Sequence, residues 1–197
     1  AHVAVFGIGG VGGYVVEALA RSGIGELTLV DSDQVNLSNI NRQIIATHET
    51  VGQNKVDAAA QRVKQIHPDC IIHTYPLRYE DTNRSLFFTR QYDYIADCID
   101  LVKCKLDLIC TALERGIPIL SAMGTGNKVD PFQLQITDLS KTEGCPLARV
   151  MRKELRARGI LHTQVLFSPE IPVKPAQLVE HDPGRRSTPP SCSWVPS

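Results

Sequence analysis

Four glycines in six residues, Gly7-Ile8-Gly9-Gly10-Val11-Gly12, follow directly on the short apolar run His2–Phe6 and lead into a helical pattern that extends to about Arg21. Few segments restrict a fold more. Glycines at this spacing permit a tight turn between a strand and a helix, with close approach of backbone to backbone. The helix N–H groups and dipole then face outward, where an anion would sit. The apolar run suits a central strand of a parallel sheet, covered on both faces.

The downstream pattern agrees. Residues 27–30, Ile71–Tyr75, Tyr94–Asp97 and residues 117–121 read as further strands, and Pro118 favours an early or edge position in the last of them. Between them, Val56, Ala59, Ala60, Val63 and Ile66 mark one face of a helix closed by Pro68, and a second helix spans Val102–Glu114 before Gly116. Alternating strands and helices imply right-handed crossovers. Residues 133–137 then alternate as a half-exposed strand, 146–158 read as a helix and 163–167 as a strand. The expected fold is α/β, a Rossmann-like three-layer sandwich with a mainly parallel sheet, continued by antiparallel strands in the second half. Residues 1–121 form its nucleotide-binding core, 122–168 continue the same domain with a substrate-side loop and basic helix, and 169–197 form a proline-rich tail. The first strand has no lead-in, so the natural protein is expected to continue beyond both ends.

Composition narrows the class. The chain has 197 residues, 43% apolar and 21% charged, with a formal net charge of zero, which suits one globular core and gives no global attraction to nucleic acid. No apolar run reaches the roughly 18 residues of a membrane span. The six cysteines include no Cys-x-x-Cys pair, which argues against a zinc ribbon or redox pair and for a reducing, cytoplasmic setting.

The glycine loop alone serves a dehydrogenase as well as an ATP enzyme; Gly7, Gly9, Gly10 and Gly12 are its candidate phosphate contacts, and Asp31, with Asp33 beside it, is placed to bind ribose. Arg42 and Lys55 separate the two readings. With Asn39 and Gln43 they put positive and polar groups where a triphosphate needs counter-charge and a nicotinamide ring does not. Solvated surface cations are the plainer alternative. Asp97 and Asp100 follow the fourth strand. Asp100, clear of the strand, is the candidate Mg2+ ligand; Asp97 reads either as a nucleotide-site residue or as a loop anchor. Arg42, Lys55 and Asp100 are thus the candidate catalytic residues.

Further on, Arg149, Arg152, Lys153 and Arg156 lie on the helix after Pro146, with Leu147, Val150, Met151 and Leu155 as its apolar face. Such cations can neutralise RNA phosphates, with Arg185 and Arg186 as an extension; a solvated helix exterior is the alternative. Lys128 is a weaker candidate phosphate contact. Cys145 at a helix start is either a stabilised thiolate or a small buried residue, and Cys192 is not expected to take part in chemistry.

Taken in order, Gly7 to Gly12, Asp31/Asp33, Asn39 to Gln43, Gly52 to Lys55 and Asp97/Asp100 resemble the five signature blocks of the ubiquitin-activating-enzyme-like adenylation superfamily. Within it, Asn41-Arg42-Gln43-Ile44, the stretch from Ala122 to Pro131, Cys145 to Val150 and the tail around Trp194 resemble the tRNA threonylcarbamoyladenosine dehydratases. The resemblance implies ATP and Mg2+ as cofactors, with a monovalent cation in addition. It implies a tRNA substrate, a homodimer and sulfur-transfer proteins as a further class of partner. Asp31 would hold ribose, Asn39, Arg42, Gln43 and Lys55 the phosphates, and Asp100 the magnesium. The reaction implied is adenylation of a carboxylate followed by intramolecular ring closure with release of AMP. The main alternative is activation of the Gly-Gly carboxyl terminus of a ubiquitin-like sulfur carrier. A nucleotide-regulated scaffold comes next, and a dehydrogenase last, since it leaves Arg42, Lys55 and Asp100 unexplained.

Overall fold

The computed structural model describes residues 1–173. The tail expectations for Arg185, Arg186, Cys192 and Trp194 lie outside the described residues. Seven strands form one sheet in the order β3-β2-β1-β4-β5-β7-β6. These are β1 (His2–Phe6), β2 (Glu26–Val30), β3 (Ile71–Tyr75), β4 (Tyr94–Asp97), β5 (Ile119–Ala122), β6 (Gln135–Asp138) and β7 (Gln164–Phe167). Neighbours from β3 through to β7 run parallel, and β6 closes the edge antiparallel to β7. The antiparallel part is therefore the β6–β7 pair, while β7 itself extends the parallel run beside β5.

Strand faces follow from alternation. On one face Val3, Val5, Leu27 and Leu29 pack with Val16 and Ala20 of α1 (Gly12–Arg21) and Val56, Ala59 and Val63 of α2 (Lys55–Ile66). On the other, Ala4, Phe6 and Ile95 pack with Phe87 of α3 (Arg84–Phe87), Leu108, Ile109 and Ala112 of α4 (Val102–Glu114) and Met151 and Leu155 of α5 (Pro146–Ala157). Each buried Leu, Ile or Phe contributes roughly 1.5–3 kcal/mol by leaving water. All five residues of β1 are buried, as suits an interior strand flanked by β2 and β4 and covered on both faces.

Strand ends differ from the expected ones by one or two residues, and the later starts of β5 and β6 have local reasons. β5 begins after Pro118, which has no N–H to give the ladder, although its carbonyl still accepts from the Ile95 N–H at 2.9 Å. β6 begins at Gln135 because Pro131–Gln133 form a 3-10 turn, capped by Asp130 through the Phe132 N–H at 3.0 Å.

Asp97, at the carboxyl end of β4, is fully buried. Its Oδ2 accepts from Lys105 Nζ at 2.8 Å and Ser121 Oγ at 2.6 Å, and its Oδ1 from the Ile99 N–H at 3.1 Å. Lys105 is equally buried and stands in the core stripe of α4 with Leu108, Ile109 and Ala112. Removing one member of such a pair strands a charge in low dielectric. Lys105→Met is therefore expected to cost about 3–5 kcal/mol in chemical denaturation. Adding Asp97→Asn should restore part of the loss, because the uncompensated charge is gone.

Candidate functional site

The strand order reverses between β1 and β4, and ligands of such sheets bind in the crevice outside the carboxyl ends of the strands at that point. Two loops meet there. Gly7 adopts a φ of +88°, which favours glycine, and its N–H donates to the Val30 carbonyl at 2.8 Å. A Cβ on Gly7 would lie 2.7 Å from the Cys98 carbonyl oxygen, and one on Gly12 only 1.8 Å from the Gly7 carbonyl oxygen. These two glycines let backbone pack on backbone. Gly9 and Gly10 differ: a Cβ on Gly9 would come no closer than 3.8 Å, to Gln43 Nε2, and one on Gly10 no closer than 3.7 Å, to the Arg42 carbonyl oxygen. They form the open side of the loop, turned toward the Arg42–Gln43 segment. The start of α1 has no side-chain cap, and the Gly13 N–H donates to the Gly9 carbonyl at 3.0 Å, so the helix begins directly on the glycine loop.

Asp31 ends β2 and ties the loop down. Its Oδ2 accepts from the Ile8 N–H at 2.6 Å and its Oδ1 from the Asp33 N–H at 2.8 Å. Burial raises its pKa above the ordinary carboxylate value, against the opposing pull of Lys55 and the two N–H groups. Lys55, the first residue of α2, is buried, with Nζ 3.0 Å from Asp33 Oδ2 and 4.0 Å from Asp31 Oδ2. Asn39 is buried in a 3-10 turn, Leu37–Asn39, where its side chain accepts from the Asn36 N–H at 3.0 Å and the Asn36 side chain accepts from the Asn39 N–H in return.

Arg42 and Gln43 follow that turn. The Arg42 guanidinium donates to the Ser38 carbonyl at 2.8 Å and to Asn41 Oδ1 at 2.9 Å. Among the described residues no carboxylate forms an ion pair with it, and partial burial weakens its hold on its proton. The Gln43 side chain is buried, and its Oε1 has no hydrogen-bond partner among the described residues. A buried amide oxygen without a donor costs about 1–3 kcal/mol, so this atom is poised for one. The arrangement can cradle a chain of phosphates: backbone donors on one side, an uncompensated cation on the other.

Asp100 lies exposed beyond β4, on the loop whose Cys98 carbonyl abuts Gly7. Of the two acidic residues of that loop it alone has a free approach from solvent. Asp97 lies beneath the loop and is fully engaged by Lys105, a residue the motif reading missed. The signal was available: a lysine at a core position of an otherwise apolar helix face.

Other candidates separate as well. Arg149, Lys153 and Arg156 are exposed on α5, but Arg152 turns back onto the carbonyl and hydroxyl of Thr142. Val150 stands exposed rather than on the apolar face, which Ala148, Met151 and Leu155 supply. Lys128 is buried and donates to the Ser168 carbonyl, which takes it out of reach of a phosphate in solution. Around it, Glu170 accepts from the Val129 and Asp130 N–H groups, the Val173 N–H donates to the Asn127 carbonyl, and a Cβ on Gly144 would meet the Pro169 carbonyl at 2.7 Å. Cys145 is buried at the start of α5.

A family model described as the ThiF family matches residues 1–169. The chain belongs to the ThiF family. It is 41% identical over 204 residues to the tRNA threonylcarbamoyladenosine dehydratase of Bacillus subtilis, covering 99% of this chain and 80% of that protein. With the dehydratase of Haemophilus influenzae it shares 47% identity over 156 residues, 79% of this chain and 60% of that one. Among solved structures it is similar to the Escherichia coli dehydratase TcdA in complex with ATP and with AMP, with a TM-score of 0.84, 39% identity and coverage of 89% of this chain and 75% of that one. The chain thus sits in the dehydratase group of the family.

The two classes of glycine make opposite predictions. Gly12→Ala should lower the midpoint of thermal unfolding by about 6 °C or more, since backbone must shift to admit the methyl group. Gly10→Ala should leave the midpoint nearly unchanged and weaken ATP binding about tenfold or more, as read by calorimetry.

Proposed function

We propose that this chain is an ATP-dependent dehydratase that acts on threonylcarbamoyladenosine in tRNA, next to the anticodon. The observation that carries the reading is the likeness, over nearly the whole chain, to a dehydratase solved with ATP and with AMP. The cleft described above supplies the chemistry. Backbone N–H groups around Gly9 and Gly10 receive the phosphates, Asp31 receives ribose hydroxyls, and Asn39, Arg42 and Gln43 line the polyphosphate. Lys55 holds Asp31 and Asp33 in place and adds charge at the same end.

The donor set also fits Mg2+. This ion takes one or two carboxylates together with phosphate oxygens, and Asp100 offers an exposed hard oxygen at the rim of the loop, while Asp97 is committed to Lys105. Bound there, the ion would draw negative charge from the departing pyrophosphate.

The reaction follows from what these groups can orient. A carboxylate oxygen of the substrate attacks the α-phosphorus, and the bond to pyrophosphate breaks. The acyl adenylate has a carbonyl carbon no longer shielded by negative charge. A nucleophile already tethered within the same modified nucleoside attacks that carbon, and the bond to AMP breaks. AMP carries off the carboxyl oxygen, and the nucleophile gives its proton to solvent, so the nucleoside loses the elements of one water. Tethering replaces a second encounter with a unimolecular closure, worth up to roughly 7–11 kcal/mol, and no protein nucleophile is required.

On this reading Arg149, Lys153 and Arg156 meet tRNA phosphates. A second copy of the chain would cover the edge of the sheet near β6, where Val129, Phe132, Leu134 and Ile136 are exposed.

The test incubates the protein with ATP, Mg2+ and threonylcarbamoylated tRNA and follows AMP release and the mass of the nucleoside. Loss of one water is expected; an unchanged nucleoside overturns the reading. Arg42→Ala and Asp100→Ala should each lower turnover by about 100-fold or more, with thermal midpoints close to that of the parent. Arg42→Lys should rescue little, because a point charge lacks the planar fork. Arg149→Ala, Lys153→Ala and Arg156→Ala should each weaken tRNA binding and reduce its salt slope by about one, whereas Arg152→Ala should act through stability.

A further inference from the structure

At the opposite end of β1 stands a second group of ligand atoms. His2 and Glu26 are register partners on β1 and β2, and His73 on β3 is the register partner of Thr28, so all three side chains share one face of the sheet. Glu26 Oε1 lies 2.8 Å from His73 Nε2 and 3.5 Å from His2 Nδ1. The potential ligand atoms all fall within 4.8 Å of one another. We propose that His2, Glu26 and His73 form a binding site for a divalent transition-metal ion of the zinc class.

The dimensions support this assignment. Zinc binds imidazole nitrogen and carboxylate oxygen at about 2.0–2.1 Å, which places tetrahedral ligands about 3.3 Å apart. The His2–Glu26 separation is already near that value, and the His73–Glu26 separation reaches it by opening half an ångström. The other nitrogen of His2, Nε2, lies 2.8 Å from Thr28 Oγ1. Metal-bound histidines commonly donate their second ring N–H in this way, which fixes the ring and the tautomer. With the proton on Nε2, the Nδ1 lone pair faces a carboxylate oxygen, and a cation between them turns two opposed acceptors into two ligands.

The surroundings leave one position open, with the Arg90 cation close enough to act on both His2 and Glu26. The His2 side chain is 8% exposed, while His73 and Glu26 are 20% and 31% exposed, so the site has a closed floor and an open top. Tyr92 walls it in a T-shaped pair with His2, ring centroids 4.9 Å apart, and the Asp93 carboxylate accepts from the His2 backbone N–H at 2.7 Å. Two neutral nitrogens and one carboxylate favour zinc, cobalt or nickel over magnesium, which prefers oxygen. Four residues of strand separate His2 from Phe6, about 13 Å at the usual rise, so this site is distinct from the cleft at Asp100. The ion would pin the amino ends of three adjacent strands.

The full chain, stripped with a chelator and free of nucleotide, is titrated with Co2+ and then Zn2+. One equivalent of Co2+ should produce the visible bands of a four-coordinate ion, and Zn2+ should displace it. His73→Ala and Glu26→Gln should each weaken binding about tenfold or more, while Asp100→Ala leaves it unchanged. Absence of the bands overturns the proposal, as does full-affinity binding in both the His73 and Glu26 variants. Circular dichroism confirms that each variant is folded; if His73→Ala is not, Glu26→Gln alone decides.

Discussion

A charge pair sealed from water, Lys105 with Asp97, sets the position of everything above the carboxyl ends of the strands. Buried ions cost several kcal/mol each in lost solvation, and they persist only where geometry returns that cost. Here the carboxylate has three donors, from α4, from β5 and from its own loop. The loop after β4 is thereby held at a fixed height. Its Cys98 carbonyl presses on Gly7, and Gly7 in turn lies beneath Gly12. The glycine loop has its shape because the loop after β4 and the backbone of Gly7 leave no space for a side chain.

From this base the electrostatics of the cleft divide in two. Lys55 is buried and shares its charge with Asp33 and Asp31, so it stabilises the loop in the resting protein. Arg42 bonds to a carbonyl and an amide oxygen, which leaves its charge unneutralised among the described residues. Two cations that look equivalent in sequence thus have different work. One organises the acidic groups at the end of β2; the other carries a charge that no carboxylate among the described residues neutralises. Gln43, with its buried amide oxygen unpartnered, belongs with the second.

Much of this was legible in the sequence. β1, β3, β4 and α4 occupy the expected residues: β1 is a continuous buried apolar run, β3 and β4 are short runs of β-branched and aromatic residues, and α4 is an amphipathic helix stopped by Gly116. The family blocks fall on the glycine loop after β1, on the segment between β2 and α2 and on the loop after β4. What they could not assign was direction. Asp97 and Asp100 share a motif, yet one faces the core and the other solvent, and only the placement of Lys105 decides which. Arg152 and Arg156 stand one helical turn apart, and the Thr142 carbonyl captures the first. Lys128 reads as a free cation in a glycine-rich turn, but the chain returning from β7 buries it. Each of these outcomes depends on a contact distant in sequence, which local periodicity does not encode.

That return of the chain joins regions far apart in sequence. Residues 168–173 are stitched to 127–130 by one backbone bond, from the Val173 N–H to the Asn127 carbonyl, by the Lys128 ammonium on the Ser168 carbonyl and by a shared glutamate, and Pro169 rests on the bend ahead of α5. The turn after β5 and the basic helix therefore behave as one mechanical piece. A load applied to that helix, such as the tug of a bulky polyanion, would pass through Gly144 and Pro169 to the turn after β5 and to the end of β7.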